Sequence, residues 1–434
     1  MSDGSDKPVP GSRGEERQRS IYLRGVSGGR PRVPVDRVEL EERAAQAMPR
    51  EAYAYIAAGA GAEDGIEGNR EAFKSWRIVP RVLRDVSERD TSTELFGRTL
   101  PSPFLLSPIG VLEMVHRDAD RAVARAAAAE GVPMVFSNQA SHPMEECAEA
   151  MGSSPRWFQL YWSKSQELVE SLVGRAEACG CEAIVVTLDT TLLGWRTRDL
   201  DLAYLPFLRG KGIAQYTSDP VFERLVQEGS QAPPEAQAPT PRPTPAALGT
   251  LLQVLRNYPD RFLGGLRSGM ARGSVERFVE IYSRPSLTWD DLPFLRARTE
   301  LPILLKGVLH PDDARKAVES GIDGIVISNH GGRQIDGVIP TLEALPAIAE
   351  EVGGEIPIVL DSGVRGGADA FKALALGATA VGLGRPYVFG LTIAGEEGVR
   401  EVIQNLVAEF DLTMGLAGCR SVGEITRETL AARG

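Results

Sequence analysis

Residues 301–330, LPILLKGVLHPDDARKAVESGIDGIVISNH, and residues 356–385, IPIVLDSGVRGGADAFKALALGATAVGLGR, follow one plan. Each segment begins with a short apolar run, continues through a stretch with helical spacing that ends at a glycine (Gly321 or Gly377), and closes with a second apolar run. The offset between the segments is 55 residues at their start and 56 at those glycines. This internal repeat predicts two successive strand-helix-strand units.

Apolar runs of the same kind recur from residue 103 onward and alternate with helical stretches of ten or more residues. The runs are continuously apolar, which is typical of parallel strands in a sheet that is covered on both faces. We therefore predict an α/β fold, a closed (β/α)8 TIM barrel with its chemistry at the carboxyl ends of the strands. The eight predicted strands span residues 104–107, 132–137, 157–161, 183–188, 302–306, 324–328, 357–361 and 380–383.

Two regions depart from this rhythm. Residues 1–34 are rich in Gly, Ser, Pro and charge, so we predict a flexible N-terminal tail there. From Asp36, a suitable N-cap, helical spacing predicts a helical extension before the barrel, and residues 35–434 are expected to form a single domain. The connection at about 190–287, after the fourth strand, is far longer than an ordinary loop. We expect it to form a lid whose Pro- and Ala-rich stretch, 231–247, is mobile.

The composition excludes several classes of function. The chain has 434 residues and a net charge of −11, so no global positive field attracts nucleic acid or an anionic membrane. It has no secretory signal and no apolar run long enough to cross a membrane. Its four cysteines have neither disulfide-framework nor zinc-site spacing. We expect a cytoplasmic protein with reduced thiols, no metal, and local arginine clusters for any anionic ligand.

Glycine and arginine follow the last two predicted strands. Asp361-Ser362-Gly363-Val364-Arg365-Gly366-Gly367 closes the seventh strand and opens a helix, and Gly384-Arg385 closes the eighth. Glycine N–H groups can approach a phosphate, a helix N-terminus favours negative charge, and arginine donates charge-assisted hydrogen bonds. Tight turns alone would not explain the two arginines. The sequence therefore predicts a phosphate site at the position where these barrels usually have one.

A second cluster, Ser328-Asn329-His330-Gly331-Gly332-Arg333-Gln334, directly follows the sixth predicted strand. A lone histidine is often structural, but His330 lies at the active end of the barrel beside an arginine that could bind a carboxylate. We therefore interpret His330 as catalytic. His116, His142 and His310 lie in polar or helix-start contexts and are predicted to be surface or capping residues.

This heptad, together with LKG (305–307), DSGVRGGADAFKALALGA (361–378) and GRP (384–386), resembles the FMN-dependent α-hydroxy acid oxidase/dehydrogenase family. The similarity covers residues 36–430. Within the family, the chain resembles the lactate 2-monooxygenase type most closely. That resemblance rests on PIG (108–110), GWRTRDL (194–200), PFLRG (206–210) and SDPVF (218–222).

The resemblance implies bound FMN, an L-2-hydroxy acid substrate and a set of chemical roles. His330 would take the proton of the substrate hydroxyl, and Asp189 would stabilise the imidazolium that forms. Tyr161 would hydrogen-bond the reacting oxygen. Lys306 would lie near the flavin N1 and C2 carbonyl, where negative charge accumulates on reduction.

The resemblance also implies the binding residues. Arg333 and Arg196, assisted by Tyr55, would bind the substrate carboxylate. Ser137, Gln159 and Thr187 would pair with the polar edge of the flavin ring. The full implied cofactor-binding set is Pro108, Ile109, Gly110, Ser137, Gln159, Thr187, Lys306, Ser328, Asp361, Ser362, Gly363, Arg365, Gly384 and Arg385.

Two pocket positions bear on the outcome of the reaction. The resemblance places Gly110 beside the flavin. Glycine at this position resembles the monooxygenase type of the family, in which the extra room could let the keto acid stay bound. A retained keto acid would be decarboxylated by peroxide, whereas release would leave peroxide as a product. Gln139 stands where relatives carry an apolar or aromatic residue. A buried amide there favours a substrate with a polar side chain. Gln139 is therefore expected to be a substrate-binding residue.

The expected function is oxidation of an L-2-hydroxy acid to the 2-keto acid with oxygen as acceptor, by an oxidase or a monooxygenase. One alternative is a dehydrogenase that uses a quinone or protein acceptor. Another is a flavin-binding protein without turnover, which the intact set of site residues argues against. The resemblance implies a homotetramer or higher homo-oligomer.

Overall fold

Eight parallel strands close into a barrel in which each strand pairs with its neighbours in chain order. The computed structural model describes residues 13–230, 244–258 and 269–433. The predicted (β/α)8 fold is confirmed, and every predicted strand overlaps an observed one. The barrel strands are β1 Phe104–Leu106, β2 Met134–Phe136, β3 Arg156–Leu160, β4 Ile184–Thr187, β5 Ile303–Val308, β6 Gly324–Ile327, β7 Ile358–Leu360 and β8 Ala380–Leu383.

Helices surround the barrel and extend it at the N-terminus. In the described ranges, no helix has the length and apolar character needed to cross a membrane. The helices outside the β4–β5 connection are Arg13–Val26, Arg37–Ala47, Arg50–Ala57, Asp64–Lys74, Ala119–Glu130, Met144–Met151, Gln166–Ala178, Pro311–Glu319, Thr341–Val352, Gly367–Ala375 and Arg385–Ala417.

The barrel is closed at its amino-terminal end. A short hairpin, Thr93–Leu95 paired with Arg98–Leu100, adds buried leucines to the cluster that fills the barrel interior. Phe96 at the turn of this hairpin packs edge-on against Trp157 of β3, with ring centroids 5.7 Å apart. The carboxyl ends of the strands are therefore the end left open for a ligand.

The repeat recognised in the sequence is two structural units. Pro311–Glu319 connects β5 to β6, and Gly367–Ala375 connects β7 to β8. His310 caps the first of these helices, because its Nδ1 accepts a hydrogen bond of 3.1 Å from the backbone N of Asp312. The predicted capping role of His310 is confirmed.

The N-terminal segment differs from the prediction. Residues 13–26 form a helix that packs on the long C-terminal helix, so the expectation of a flexible tail is wrong for them. Gly14 is buried, and its backbone N donates to Asp411 at 2.8 Å. Glu401 accepts from the backbone N of Arg32 at 2.8 Å. Buried acids on a distant helix thus bind the backbone of this segment, whose own composition contains few apolar residues to bury. Residues 1–12 lie outside the described residues.

The described part of the β4–β5 connection is helical. Its aromatic centre is Phe278, whose ring lies 5.2 Å from Phe207, 4.8 Å from Tyr216 and 5.1 Å from Tyr282. Of the stretch expected to be mobile, residues 231–243 lie outside the described residues, whereas 245–247 begin a helix capped by Thr244. The described helices of this connection are Thr197–Asp201, Ala214–Thr217, Pro220–Ser230, Pro245–Asn257, Met270–Ile281 and Leu292–Arg296.

Replacing Asp411 with Ala should destabilise the protein by about 3–5 kcal/mol, because the buried guanidinium of Arg89 keeps only the exposed Glu15, 3.9 Å away, as an anion. Arg89 pairs with Asp411 through Nε–Oδ1 at 2.8 Å and Nη2–Oδ2 at 3.0 Å. Urea unfolding measures the difference. The exposed Asp290→Ala should shift stability by less than about 0.5 kcal/mol. Equal losses for the two variants would contradict the importance of this pair.

Candidate active site

A cavity of about 1070 Å³ opens at the carboxyl ends of the strands. Most of the residues predicted from the sequence line this cavity. The exceptions are Thr187, Asp189 and Ser328, which lie behind the lining residues and hydrogen-bond to Gln159, His330 and Lys306, respectively. The predicted residues that line the cavity are Tyr55, Pro108, Ile109, Gly110, Ser137, Gln139, Gln159, Tyr161, Arg196, Lys306, His330, Arg333, Asp361, Ser362, Gly363, Arg365, Gly384 and Arg385.

The imidazole of His330 is held by Asp189. Its Nδ1 lies 2.9 Å from Oδ1 of Asp189, which joins the loop after β6 to the loop after β4. Burial lowers the pKa of His330, and Asp189 opposes that shift without reversing it. Burial alone would raise the pKa of Asp189, but His330 and Lys306 outweigh burial and hold it below its ordinary value. At neutral pH the pair is therefore a neutral imidazole that donates from Nδ1 to a carboxylate.

The backbone of His330 is in the left-handed region, with φ of 56°. Such a conformation costs a non-glycine residue about 1–3 kcal/mol and persists only where the surroundings enforce it. Ser328 Oγ accepts from the backbone N of His330 at 3.1 Å. The side chain of Asn329 accepts from the N of Gly332 at 3.1 Å and exchanges two hydrogen bonds with Asn69. These contacts hold the turn that presents the imidazole.

Lys306 lies beneath the cavity as a buried cation. Its Nζ donates to Ser328 Oγ at 2.7 Å and lies 3.5 Å from Asp361 and 3.8 Å from Asp189. Burial opposes the charge, but the two carboxylates outweigh burial and raise the pKa of Lys306 above its ordinary value. Lys306 is therefore positive at every pH at which the protein works.

Gly307 allows Asp189 to approach β5. The register of the β5–β6 pair shifts between Lys306 and Val308, and Gly307 has φ of 105°. A Cβ at Gly307 would lie 2.8 Å from the Cβ of Asp189. The glycine of the LKG motif thus makes room for the carboxylate that holds His330.

Two arginines lie on the His330 side of the cavity. The Arg333 guanidinium lies 5.0 Å from the centre of the Tyr55 ring and donates to the carbonyl O of Ala58 at 2.8 Å. Arg196 donates from Nε to the carbonyl O of Arg333 at 3.3 Å. Burial and the nearby Arg196 lower the pKa of Arg333 to about 10. The structure thus brings together the three residues predicted to bind a carboxylate.

Two further arginines line the cavity, Arg365 in the glycine loop after β7 and Arg385 directly after β8, where it shares the carbonyl O of Ala58 with Arg333. The guanidinium of Arg365 donates to the carbonyl O of Val364 at 3.0 Å. Arg385 donates to the carbonyl oxygens of Ile56, Gly331 and Ala58 at 3.0, 3.0 and 3.1 Å. Burial lowers the pKa of Arg365 to about 10 and that of Arg385 to about 9.

Among the described residues, no carboxylate oxygen lies within 4 Å of any of these four guanidinium groups, and every hydrogen bond recorded for them goes to a neutral oxygen. Asp199 acts on Arg333 and Arg196 only from a longer distance. A buried charge without a counter-ion is costly, and the other deeply buried arginine, Arg89, does pair with an acid. The cavity therefore carries positive charge beside the His330 loop and beside the glycine loop after β7, with Arg385 next to Arg333. This arrangement suits two anionic groups, on one ligand or on two.

The strand ends β2, β3 and β4 contribute a chain of neutral polar groups. Gln159 Oε1 accepts from Ser137 Oγ at 3.2 Å, and Gln159 Nε2 donates to Thr187 Oγ1 at 3.0 Å. The three side chains that were predicted to face a heterocyclic edge therefore lie together.

Gly110 packs directly on Gln139. A Cβ at Gly110 would lie 2.8 Å from the carbonyl O of Gln139, so the loop itself requires glycine there. The space expected beside Gly110 is filled by Gln139. The backbone of Gln139 is bound on both sides, by Ser137 Oγ at 3.1 Å and by Val111 N at 2.9 Å. Its side-chain amide has no hydrogen-bond partner among the described residues and lines the cavity.

Comparison with known proteins agrees with this geometry. Residues 44–432 match the family model for FMN-dependent dehydrogenase. The chain belongs to the FMN-dependent α-hydroxy acid oxidase/dehydrogenase family. It is 40% identical to an L-lactate oxidase of Lysinibacillus sphaericus (strain C3-41), over 94% of this chain and 96% of that protein. It is 38% identical to 2-hydroxyacid oxidase 1 of Homo sapiens, over 90% of this chain and 94% of that protein.

Solved structures of mandelate oxidase have the same fold. The complex with (S)-4-hydroxymandelic acid superposes with a TM-score of 0.75 at 34% sequence identity, covering 92% of this chain and 99% of that chain. Like other members of its family, this enzyme oxidises 2-hydroxy acids with FMN as its cofactor.

The residues of the cavity fit FMN. The loop before helix Gly367–Ala375 offers a phosphate the Arg365 guanidinium, whose recorded hydrogen bond goes to the carbonyl O of Val364. The backbone N of Arg365 and that of Gly367 are bound to Asp369 and Glu409, so the guanidinium is the main donor of this loop. The cavity runs from this loop to His330 over the buried Lys306, so a ring placed there lies against a cation. The donor chemistry therefore matches a phosphate at one end and an electron-rich ring in the middle.

Sequence reasoning missed several residues of this family site. Phe207 and Tyr282 from the β4–β5 connection line the cavity, as do Leu192 and Leu193. Their positions depend on how a long connection folds back, and no local pattern reports that. Gln334 lay inside the quoted heptad but received no role.

Replacing Arg365 with Ala should weaken FMN binding about 10- to 100-fold, because a charge-assisted hydrogen bond to phosphate is lost. Fluorescence titration of the apoprotein with FMN gives the Kd. Arg365 gives a clearer test than Arg385, because Arg385 also donates to three backbone carbonyls and its loss would disturb the backbone as well. The exposed Arg420, paired only with Glu424 in the described chain, provides the control Arg420→Ala. An unchanged Kd for the Arg365 variant would refute its placement at the phosphate.

Proposed function

We propose that this enzyme oxidises an L-2-hydroxy acid with His330 as the base and oxygen as the electron acceptor. The observation that supports this most strongly is the neutral imidazole of His330, held by Asp189 on the same cavity as the unpaired guanidinium of Arg333. A base and a carboxylate-binding cation on one wall are what a 2-hydroxy acid requires, since its hydroxyl and carboxylate are on adjacent carbons.

The residues divide the work by position. Arg333 and Arg196 bind the substrate carboxylate and so fix the α-carbon, with the Tyr55 hydroxyl assisting. His330 takes the hydroxyl proton at Nε2, because Nδ1 is bound to Asp189, and the ionised Asp189 stabilises the imidazolium. Tyr161 hydrogen-bonds the reacting oxygen. FMN, when bound, accepts the hydride equivalent of the α-carbon, and Lys306 provides a permanent positive charge beside it.

We propose an oxidase outcome, in which the 2-keto acid leaves and oxygen becomes hydrogen peroxide. The 40% identity to an L-lactate oxidase supports this. The packing of Gly110 against Gln139 removes the reason for expecting a roomier, monooxygenase-type pocket. Retention of the keto acid would instead give the shortened carboxylic acid, carbon dioxide and water.

We also propose that the accepted side chain is larger than methyl and has one neutral hydrogen-bonding group. Four apolar or aromatic side chains line the cavity, and the free amide of Gln139 lines the same cavity. A free amide facing a purely apolar group would lack a partner. The lining side chains are Leu192, Leu193, Phe207 and Tyr282.

A homotetramer in the cytoplasm completes the proposal. It is supported by the family resemblance and by the four cysteines, which are all unpaired. Sedimentation velocity of the FMN-loaded protein tests the assembly.

The function is tested by anaerobic bleaching of the flavin with a panel of L-2-hydroxy acids. We expect L-4-hydroxyphenyllactate to react with a higher kcat/KM than L-phenyllactate, which differs only by the hydroxyl, and both to exceed L-lactate. Absence of bleaching with every acid would refute the function. Air should then reoxidise the flavin rapidly with one peroxide per keto acid, whereas slow reoxidation would indicate a dehydrogenase and carbon dioxide a monooxygenase.

The near-isosteric Gln139→Leu should lower the preference for the hydroxylated acid about tenfold, because the hydrogen bond to the amide is lost. The ratio of kcat/KM for L-4-hydroxyphenyllactate to that for L-phenyllactate measures this. An unchanged ratio would show that Gln139 does not contact the substrate side chain.

Asp189→Asn should slow flavin reduction about 10- to 100-fold, since the imidazolium loses its counter-charge. In the native enzyme, kcat/KM should rise with pH through a His330 pKa below its ordinary value, because the neutral imidazole is the active form. It should then stay level until Arg333 loses its charge at a pKa of about 10. Removing the carboxylate should move this rise to lower pH. A shift to higher pH would contradict the assigned charges.

A further inference from the structure

Gln334 spans the gap between the loops after β4 and β6. Its Nε2 donates to the carbonyl oxygens of Asp189 and Leu192, each at 2.8 Å. Its Oε1 accepts from Arg196 Nη2 at 2.9 Å and from the backbone N of Gly194 at 3.4 Å. Both amide hydrogens and both lone pairs are therefore used on one loop.

These contacts reach two functional groups at once. The carbonyl of Asp189 belongs to the residue that holds His330, and Arg196 is one of the two cations on the carboxylate side of the cavity. Gln334 follows Arg333, the other cation, directly in the chain. The Gln334 side chain thus connects the loop that carries Asp189 and Arg196 to the loop that carries His330 and Arg333.

The partners of Arg196 are neutral. Its guanidinium donates to the carbonyl O of Arg333 and to the amide O of Gln334, and no carboxylate oxygen of the described residues lies within 4 Å of it. Asp199 acts on it only from a longer distance. An amide oxygen orients a guanidinium without neutralising it. A carboxylate at the same place would form an ion pair with Arg196 and would repel an incoming anion.

Gly194 shows how closely the two loops meet. A Cβ there would lie 2.5 Å from the carbonyl O of Arg333 and 2.7 Å from the Cα of Gln334. Only a residue without a side chain lets the Gln334 amide reach the backbone of the opposite loop.

We propose that Gln334 is a positioning residue for substrate binding: its neutral amide orients Arg196 and fixes the Asp189 loop while leaving the charge of Arg196 free for the substrate carboxylate. This inference rests on the proposed function, in which Arg196 binds that carboxylate.

The test uses the FMN-loaded enzyme and oxalate, a carboxylate without a side chain, whose Kd is measured by calorimetry. The variants are Gln334→Leu, which removes all four hydrogen bonds, and Gln334→Glu, which keeps the shape and adds a negative charge. Gln18→Glu, on the exposed face of helix Arg13–Val26, controls for the added charge. Thermal melting verifies that each variant folds. Gly194→Ala should separate the loops after β4 and β6 without changing Gln334, and so tests the same contact independently.

We expect the Kd of oxalate to rise at least about tenfold in Gln334→Leu, because a hydrogen bond to a charged group is lost. It should rise further in Gln334→Glu and stay unchanged in Gln18→Glu. With the best acid of the panel, KM should rise more than kcat falls. Adding Gln334→Leu to Arg196→Met should cost little more than Arg196→Met alone, because the amide acts on the anion through Arg196.

An oxalate Kd for Gln334→Glu close to the native value, full additivity with Arg196→Met, or a loss confined to kcat would overturn the proposal. These outcomes differ from failure of the proposed function. If oxalate does not bind the native enzyme, or binds Arg196→Met equally well, then the carboxylate site itself is wrongly placed. If only the Gln334 variants leave binding unchanged, then the positioning role alone is wrong.

Discussion

The contact between Asp189 and His330 is the constraint on which the active site depends. The carboxylate follows β4 and the imidazole follows β6, so their 2.9 Å hydrogen bond exists only because the barrel brings two non-adjacent strand ends to one mouth. Asp189 faces Lys306 as well, which keeps it ionised in a buried place. A buried anion between two basic groups can support a transient positive charge on one of them without ever being protonated.

The distribution of charge explains why the cavity needs its ligands. Arg196, Arg333, Arg365 and Arg385 have no carboxylate within 4 Å in the described chain, and burial lowers the pKa of the last three. In the proposed function, a bound phosphate and a bound carboxylate would supply the missing anions. Ligand binding should therefore stabilise the fold as well as enable the reaction, because binding to the native state alone shifts the unfolding equilibrium.

The sequence predicted the barrel because parallel strands and their helices leave a local signature, and it predicted His330 and Arg365 because their clusters follow recognisable strands. The role of Lys306 came only from the family resemblance. It did not predict the helix at residues 13–26, whose stability comes from acids nearly 400 positions away, such as the bond from Gly14 to Asp411. The bonds of Arg385 to Ile56 and Ala58 were missed for the same reason. Contacts between distant segments are set by the closed barrel, not by local spacing.

The central claim is that His330 is a neutral imidazole held through Nδ1 by an ionised Asp189. Nitrogen NMR of the ¹⁵N-histidine-labelled, FMN-loaded enzyme tests it directly, because the chain has four histidines and His330→Ala identifies the signal. The account predicts a protonated Nδ1 and an unprotonated Nε2 at neutral pH, with a pKa below the ordinary histidine value that falls further in Asp189→Asn. An imidazole that is doubly protonated at neutral pH, or one whose titration is indifferent to Asp189, would contradict it.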